Sequence, residues 1–208
     1  MERLMIVTAT DEDSKLALLR ESLEWNGFRP EQLHVIPWEK DYVTTKVRRV
    51  IQWLEQTNCE YVMWIDGHDS LVLKQQEDII SMFSSDATNV AVERSCWPTP
   101  GLADCYPVEM VRNAPRFINA GGYGGDAVEV ICTLRKVLLH ATTGDDQLAW
   151  TKAFLHKAES ITLDYERYLF CSEGDGDTAS ADPCVRHWNG RVPGREEFWE
   201  KWKAEHPR

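Results

Sequence analysis

Apolar positions along the chain recur with two different periods, and together they predict a series of strands and helices. Residues 3–8 form a short apolar run that ends in the polar segment 8–14, as a buried strand would. Leu16, Leu19 and Leu23 follow at three- and four-residue spacing, which predicts a helix over residues 13–26 with Gly27 at its C-terminal stop. A second strand is predicted over residues 33–37. Val43, Val47, Val50, Ile51 and Leu54 make a helical stripe with Lys46, Arg48 and Arg49 among the intervening polar positions. Residues 61–65 are continuously apolar, the pattern of a strand buried on both faces, and the run stops abruptly at Asp66-Gly67-His68-Asp69. A helix over residues 76–84 and a strand over 89–93 follow. This order predicts an α/β, Rossmann-like single domain with a mainly parallel central sheet flanked by helices. Ligands bind beyond the carboxyl ends of the strands in such sheets, so Asp66 and Asp69 hold an informative position.

The second half begins irregularly, with Pro98, Pro100, Pro107 and Pro115. Phe117-Ile118-Asn119-Ala120 then meets Gly121-Gly122-Tyr123-Gly124-Gly125, which reads either as a segment allowing close backbone approach to a ligand or as a tight turn between strand and helix. Asp126 suits the N-cap of a helix reaching about residue 139, and another helix starts near Asp145. No repeat or linker divides the 208 residues.

Composition narrows the class. Nine tryptophans argue against disorder. No apolar run approaches a membrane span, and the first residues enter a strand without a signal-peptide pattern, so the expected location is cytoplasmic with no membrane contact. Lys and Arg number 23 against 34 Asp and Glu, a net charge of -11, which opposes strong non-specific nucleic-acid binding. The six cysteines show no CxxC pattern, and free thiols fit that compartment. A Cys96–Cys105 pair across a loop stays open.

Four segments carry chemistry. Asp66 and Asp69, three apart on a turn, can share a hard cation such as Mg²⁺ or Mn²⁺, with Gly67 relaxing the backbone so that they converge. A diphosphate with its metal would then sit beyond the strand end. The glycine cluster at 121–125 lacks the sequence of a P-loop or a dinucleotide fingerprint. Asp145 and Asp146 suit a helix start and equally a base or a partner for sugar hydroxyls. His187-Trp188-Asn189-Gly190 places an imidazole in a loop, where it is either a metal ligand or a structural histidine.

Taken in order, these segments resemble the glycosyltransferase domain of procollagen lysyl hydroxylases and related GT-A enzymes. Val7-Thr8-Ala9-Thr10 is similar to the family's first strand end, Lys46-Val47-Arg48 to its helical Lys-Val-Arg, and Asp66-Gly67-His68-Asp69 to its DxxD metal motif. Ser95-Cys96-Trp97-Pro98, Gly101-Leu102-Ala103 and Tyr106-Pro107 follow its Cys-Trp-Pro…Gly-Leu-Ala…Tyr-Pro loop. Residues 117–122 resemble Phe-Leu-Asn-Ser-Gly-Gly, and Asp145-Asp146-Gln147-Leu148 with Thr151 resembles the end of its poly-acidic run. Ile161-Thr162-Leu163-Asp164 matches, as does the closing His187-x-Asn189-Gly190.

The resemblance implies a GT-A fold, with residues 1–94 as the nucleotide-binding half, 95–195 as the donor-sugar and acceptor half, and 196–208 as a tail. It implies Mn²⁺ (or Mg²⁺) held by Asp66, Asp69 and His187. Thr8 and Lys46 would contact the nucleotide, and His68 would stand where the family stacks a tyrosine on uracil. Asn119, Gly121, Gly122, Asp145 and Asp146 would line the donor sugar, with Gly190 beside the cofactor. Trp97 would cover the sugar or acceptor, and Asp146 would stand nearest the reacting centre. Ala120 in place of Ser, the short acidic run, and Arg191-Val192-Pro193-Gly194 after Gly190 depart from the family pattern. These departures bear on donor sugar and acceptor more than on the metal. The expected form is a stand-alone bacterial or viral transferase.

The expected activity is metal-dependent transfer of a sugar, glucose or galactose, from a UDP-sugar to a hydroxyl acceptor. Protein, glycan, small-molecule and modified nucleic-acid acceptors are all open, as is the oligomeric state. The rivals are a phage glycosyltransferase acting on hydroxylated DNA bases, a metal-dependent phosphohydrolase, and a non-catalytic sugar-nucleotide-binding protein. Trp64, Trp97, Trp150 and Trp188 adjoin the site segments. Trp25, Trp38, Trp53, Trp199 and Trp202 are assigned to packing.

Overall fold

A computed structural model describes residues 3–38, 42–107, 115–141, 144–156, 159–173, 182–189 and 193–207, with the side chains of 42–44 left out. Six strands form the central sheet: β1 (Leu4–Thr10), β2 (Leu33–Pro37), β3 (Tyr61–Ile65), β5 (Thr88–Glu93), β6 (Phe117–Asp126) and β7 (Ile161–Leu163). Their order is β2-β1-β3-β6-β5-β7. β1 runs parallel to β2 and β3, and β5 parallel to β7, while β6 is antiparallel to both β3 and β5. Five strands therefore point one way and β6 alone is reversed, which brings the carboxyl ends of β1, β3 and β5 to one end of the sheet. A second sheet, unseen in the sequence pattern, has the order β4-β9-β8, from β4 (Ser70–Val72), β8 (Phe170–Ser172) and β9 (Val185–His187).

Strand alternation separates two cores. Val62 and Trp64 of β3 join Val47, Val50 and Leu54 of α2 (Tyr42–Gln56) and Val130, Leu134 and Val137 of α4 (Ala127–His140) on one face. Met63 and Ile65 join Leu19 and Leu23 of α1 (Ala17–Trp25) and Ile79 of α3 (Gln76–Met82) on the other. Each such buried aliphatic side chain contributes roughly 1.5–3 kcal/mol, and a strand apolar on both faces is the expected result. Val43, a predicted member of the α2 stripe, lies outside the described side chains.

The first helix departs from expectation at its start, where Asp13–Leu16 forms a 3-10 turn before α1 begins. Its end follows the glycine rule: Gly27 has φ +79°, Gly27 N–H donates to Glu24 O (3.1 Å), and Phe28 N–H donates to Leu23 O (3.0 Å). Asp126 caps α4 by accepting from the N–H groups of Val128 and Glu129. All six cysteines are free thiols, Cys96 and Cys105 included.

The tight-turn option for residues 121–125 is corrected: β6 runs straight through the glycines. Its pairing with β5 jumps from Asn119–Ala91 to Tyr123–Val90, so Ala120, Gly121 and Gly122 bulge on that side while Gly122 still pairs with Ile65 of β3. Such bulges re-aim side chains beside active sites. The tryptophan assignments also shift. Trp64, Trp150 and Trp188 are buried in the cores, whereas Trp38 is half exposed and Trp97 is 63% exposed. Trp199 and Trp202 do pack, on α6 (Arg195–Glu205), where Trp199 meets Trp25 edge-on with ring centroids 5.9 Å apart.

Candidate active site

The carboxyl ends of β3 and β5, the bulge of β6, and the start of α5 (Asp146–Leu155) enclose a cavity of about 410 Å³. Asp66, Asp69, Trp97, Asn119, Gly121, Asp146 and His187 line it, together with Glu93, Ser95, Ala120, Gln147 and Asn189. The volume suits a small-molecule ligand.

Short-range contacts set the metal motif in place. Asp66 N–H donates to Gly121 O (2.9 Å), tying the turn to the bulge. Gly67 N–H donates to the hydroxyl of Thr8 (2.9 Å). Gly67 is required for space rather than for an unusual backbone: a Cβ there would stand 2.7 Å from Leu16 Cδ2 and from Thr8 Oγ1. Thr8 is wholly buried and supports the turn from behind instead of lining the cavity. The second sheet brings His187 across the sequence, because Ser70 pairs with His187 and Trp188 N–H donates to Asp69 O (2.8 Å). His187 Nε2 then lies 3.2 Å from Asp69 Oδ1.

Two neighbouring donors on one octahedral ion stand about 3 Å apart, given ligand distances near 2.1 Å at right angles. The Asp69–His187 pair fits that spacing, and two carboxylates with an imidazole are a suitable donor set for Mn²⁺ or Mg²⁺. Asp66 shares the cavity wall, but its Oδ1 faces Lys46 Nζ at 3.7 Å and accepts from Trp64 Nε1 at 3.3 Å. Among the described residues no three His, Cys, Asp or Glu side chains are grouped closely enough to hold an ion as they stand. To join Asp69 and His187 on one ion, Asp66 would have to turn away from Lys46. Burial alone would lower the His187 pKa, but the hydrogen bond to Asp69 and the charges of Asp69, Asp66 and Glu93 outweigh it, and the pKa lies above the ordinary histidine value. The carboxylates thus favour positive charge at this point.

Lys46 is buried, and its ammonium bridges the two acidic segments: 2.6 Å from Asp146 Oδ2, 3.7 Å from Asp66 Oδ1, and 4.3 Å above the Trp64 ring. It lies behind the cavity wall. Asp145 does not reach the cavity; its Oδ1 accepts from Leu148 N–H (2.8 Å) and caps α5. His68 Nε2 lies 2.7 Å from Thr10 Oγ1, beside the end of β1 and outside the cavity lining. Gly122 faces the ring of Phe170, where a Cβ would meet Cδ1 at 2.6 Å. Gly190 lies outside the described residues.

Glu93 was not singled out from the sequence, yet it organises the cavity floor. Its Oε2 accepts from Asn119 Nδ2 (3.2 Å) and Asn189 Nδ2 (2.8 Å), and its Oε1 accepts from Gln147 Nε2. Gln147 also donates to Trp97 O (3.0 Å) and accepts from Ala120 N–H (3.3 Å). One buried carboxylate therefore orients three amides from β6, α5 and the segment after β9. Its signal was available: like Asp66, it is an acid at the carboxyl end of an apolar strand.

Comparison with known proteins bears on the family and the fold. The family model described as the PLOD GT domain matches residues 2–176. A Drosophila melanogaster procollagen-lysine,2-oxoglutarate 5-dioxygenase is 30% identical over 115 residues, covering 52% of this chain and 16% of that protein. The human multifunctional procollagen lysine hydroxylase and glycosyltransferase LH3 is 25% identical over 186 residues, covering 81% of this chain and 25% of that protein. The chain thus spans a quarter or less of the length of these relatives. A solved glycosyltransferase involved in glycosylation of the major capsid of PBCV-1 superposes with a TM-score of 0.58 at 14% identity, covering 97% of this chain and 99% of the other. With a family model spanning β1 through β8 and an α/β fold shared with a solved glycosyltransferase, the chain belongs to the family of PLOD-type glycosyltransferase domains.

Proposed function

We propose that the protein transfers a hexose, glucose or galactose, from a UDP-sugar to a hydroxyl acceptor with the help of Mn²⁺ or Mg²⁺. The observation that carries this reading is the placement of Asp66, Asp69 and His187 on the wall of the cavity whose floor is built from Glu93, Asn119, Gln147 and Asn189. Asp69 and His187 would hold the ion, with Asp66 completing the set. A bound ion supplies neutralisation of the charge that develops on the departing diphosphate. The amides that Glu93 orients offer donors and acceptors to the sugar hydroxyls, and this fixed array aligns the anomeric carbon with the incoming hydroxyl. Both oxygens of Asp146 are engaged, Oδ2 by Lys46 and Oδ1 by Gln147 N–H at 3.0 Å. Asp146 therefore orients the donor. Exposed Trp97 at the rim offers a flat face to a sugar ring.

The test is a UDP-release screen over UDP-glucose, UDP-galactose and other UDP-sugars with Mn²⁺, followed by an acceptor screen. Release is expected with at least one UDP-hexose and is expected to disappear in Asp66→Ala/Asp69→Ala. Full turnover in that double variant would sink the assignment. Phosphate release from simple phosphoesters without any sugar nucleotide would point to a phosphohydrolase instead. Binding of a UDP-sugar without turnover over a broad acceptor panel would point to a binding protein.

A further inference from the structure

The turn that carries Asp66 and Asp69 is held through its backbone from four parts of the fold. Asp66 N–H donates to Gly121 O of β6, Gly67 N–H donates to Thr8 Oγ1 of β1, and Asp69 O accepts from Trp188 N–H just after β9. His68 O accepts from Nη1 of Arg195, the first residue of α6. Arg195 is the charged donor of the four. Its side chain is 17% exposed, and its Nη2 meets the exposed carboxylate of Glu196 at 3.2 Å. The helix that delivers this guanidinium is itself firmly docked. Trp199 and Trp202 of α6 are buried with Leu71, Leu73 and Trp188, on the face of the second sheet opposite His187. Phe198 lies 5.3 Å from the Trp188 ring and 4.5 Å from the Arg186 guanidinium. Gly194, with φ +101°, turns the chain into the helix, and its O accepts from Phe198 N–H (2.9 Å). Trp188 therefore both packs against α6 and holds Asp69.

We propose that Arg195 is a positioning residue that clamps the turn 66–69 from the C-terminal helix, so that both carboxylates keep facing the cavity. A hydrogen bond from a guanidinium is charge-assisted and stronger than one between neutral groups, and its acceptor here, His68 O, lies between the two acids. Without it the middle of the turn keeps only the bond from Gly67 to Thr8. Side chains that hold a ligand keep their geometry only when their own surroundings lock them, and loss of such support typically weakens metal binding tenfold or more. α6 lies beyond residues 2–176, which the family model matches. The tryptophan-rich helix thus supports the site as well as packing on the second sheet. This deepens the metal reading and rests on it for the effect on affinity, but the clamp on the turn is a property of the ion-free protein.

The test is amide hydrogen exchange on the full chain without metal, read residue by residue by NMR, with Mn²⁺ affinity measured beside it by calorimetry. Arg195→Met keeps the stem of the side chain and removes its donors. In this variant the amides of Asp66, Gly67 and Trp188 are expected to exchange about tenfold faster than in the wild-type protein. Those of Met63 and Trp64 in β3 are expected to keep the wild-type rate, and Mn²⁺ is expected to bind about tenfold more weakly. Arg195→Lys, which keeps a charged donor, is expected to recover part of both effects, and Glu196→Ala to change neither. If Arg195→Met does not fold, Arg195→Gln is read in the same way. Turn amides that exchange at the wild-type rate overturn the proposal. So do turn and β3 amides that accelerate together, which would make Arg195 a general prop of the fold, and so does faster turn exchange with unchanged Mn²⁺ affinity. A wild-type protein that binds no Mn²⁺ defeats the metal reading, while the exchange rates still decide the clamp.

Discussion

Gly121 concentrates the residue-scale constraints of the cavity. A Cβ at this position would lie 2.3 Å from His187 Cε1 and 2.8 Å from Asn119 Oδ1, and both neighbours are held from behind. Gly121→Ala is therefore expected to displace the imidazole. Overpacking of this kind costs about 1–3 kcal/mol, and the larger effect should fall on Mn²⁺ binding, weakened tenfold or more as His187 leaves Asp69. Thermal unfolding and a Mn²⁺ titration check the two parts separately; a folded variant with wild-type affinity would show that the site tolerates the shift. Asp66 and Asp69 were legible because an apolar run ends on them. Lys46 was harder to place: it sits one residue before Val47 and four before Val50 in a stripe whose polar positions look solvated, yet its ammonium is buried against Asp146. A periodic pattern cannot distinguish a lysine that snorkels outward from one that bridges two carboxylates. Tryptophan misled in the opposite direction, since three of the four beside the site segments fill the core instead of facing the cavity.

At the scale of elements, long segments were legible and short ones were not. The helical stripes of α2 and α4 and the apolar run of β3 each repeat their period several times. β4, β8 and β9 have three residues each, too few to show any period, although they carry His187 to Asp69. β6 was obscured differently, because four glycines erase the alternation of a strand. Asp164 ties the start of β8 to the end of β7, in a segment that resembles the family without any obvious chemistry. Its Oδ1 accepts from Tyr168 N–H (3.2 Å), and its Oδ2 accepts from Leu169 N–H (2.9 Å) and Phe170 N–H (2.7 Å). These bonds shape the turn between β7 and β8, where Arg167 adopts φ +58°. Burial pushes the Asp164 carboxyl up, and the backbone donors pull it part of the way back. Asp164→Ala would leave three N–H groups without their acceptor, at about 1–3 kcal/mol for each group that water does not reach. The expected loss is about 3–5 kcal/mol in denaturant unfolding, with a smaller loss for Asp164→Asn, which keeps one oxygen. Equal stability of Asp164→Ala and wild type would remove Asp164 from the scaffold.

For the whole molecule, the topology gathers negative charge. The chain carries a net charge of -11, and Asp66 and Asp69 from the turn after β3, Glu93 from the end of β5 and Asp146 from the start of α5 come to a single cavity. Lys46 is buried beside them and bridges Asp66 and Asp146. Folding brings these like charges together, so the folded chain pays a repulsion that a divalent cation relieves and the unfolded chain does not share. A ligand bound only by the folded state stabilises it by mass action, by about 2.7 kcal/mol at a concentration one hundred times its dissociation constant. For a chain of this length each kcal/mol raises the melting temperature by roughly 2–4 °C. Saturating Mn²⁺ is therefore expected to raise the midpoint by about 5–10 °C, with reversal by a chelator and no rise in Asp69→Ala. Added UDP should raise it further, since the ion and the diphosphate share the cavity mouth in the proposed reading. A midpoint unmoved by Mn²⁺ and Mg²⁺, alone and with UDP, would mean that Lys46 and the His187 imidazolium already balance the cavity and that the chain departs from metal-dependent transfer. The Asp66 side chain is the place to look for the difference, because the same oxygen that would reach the ion now faces Lys46.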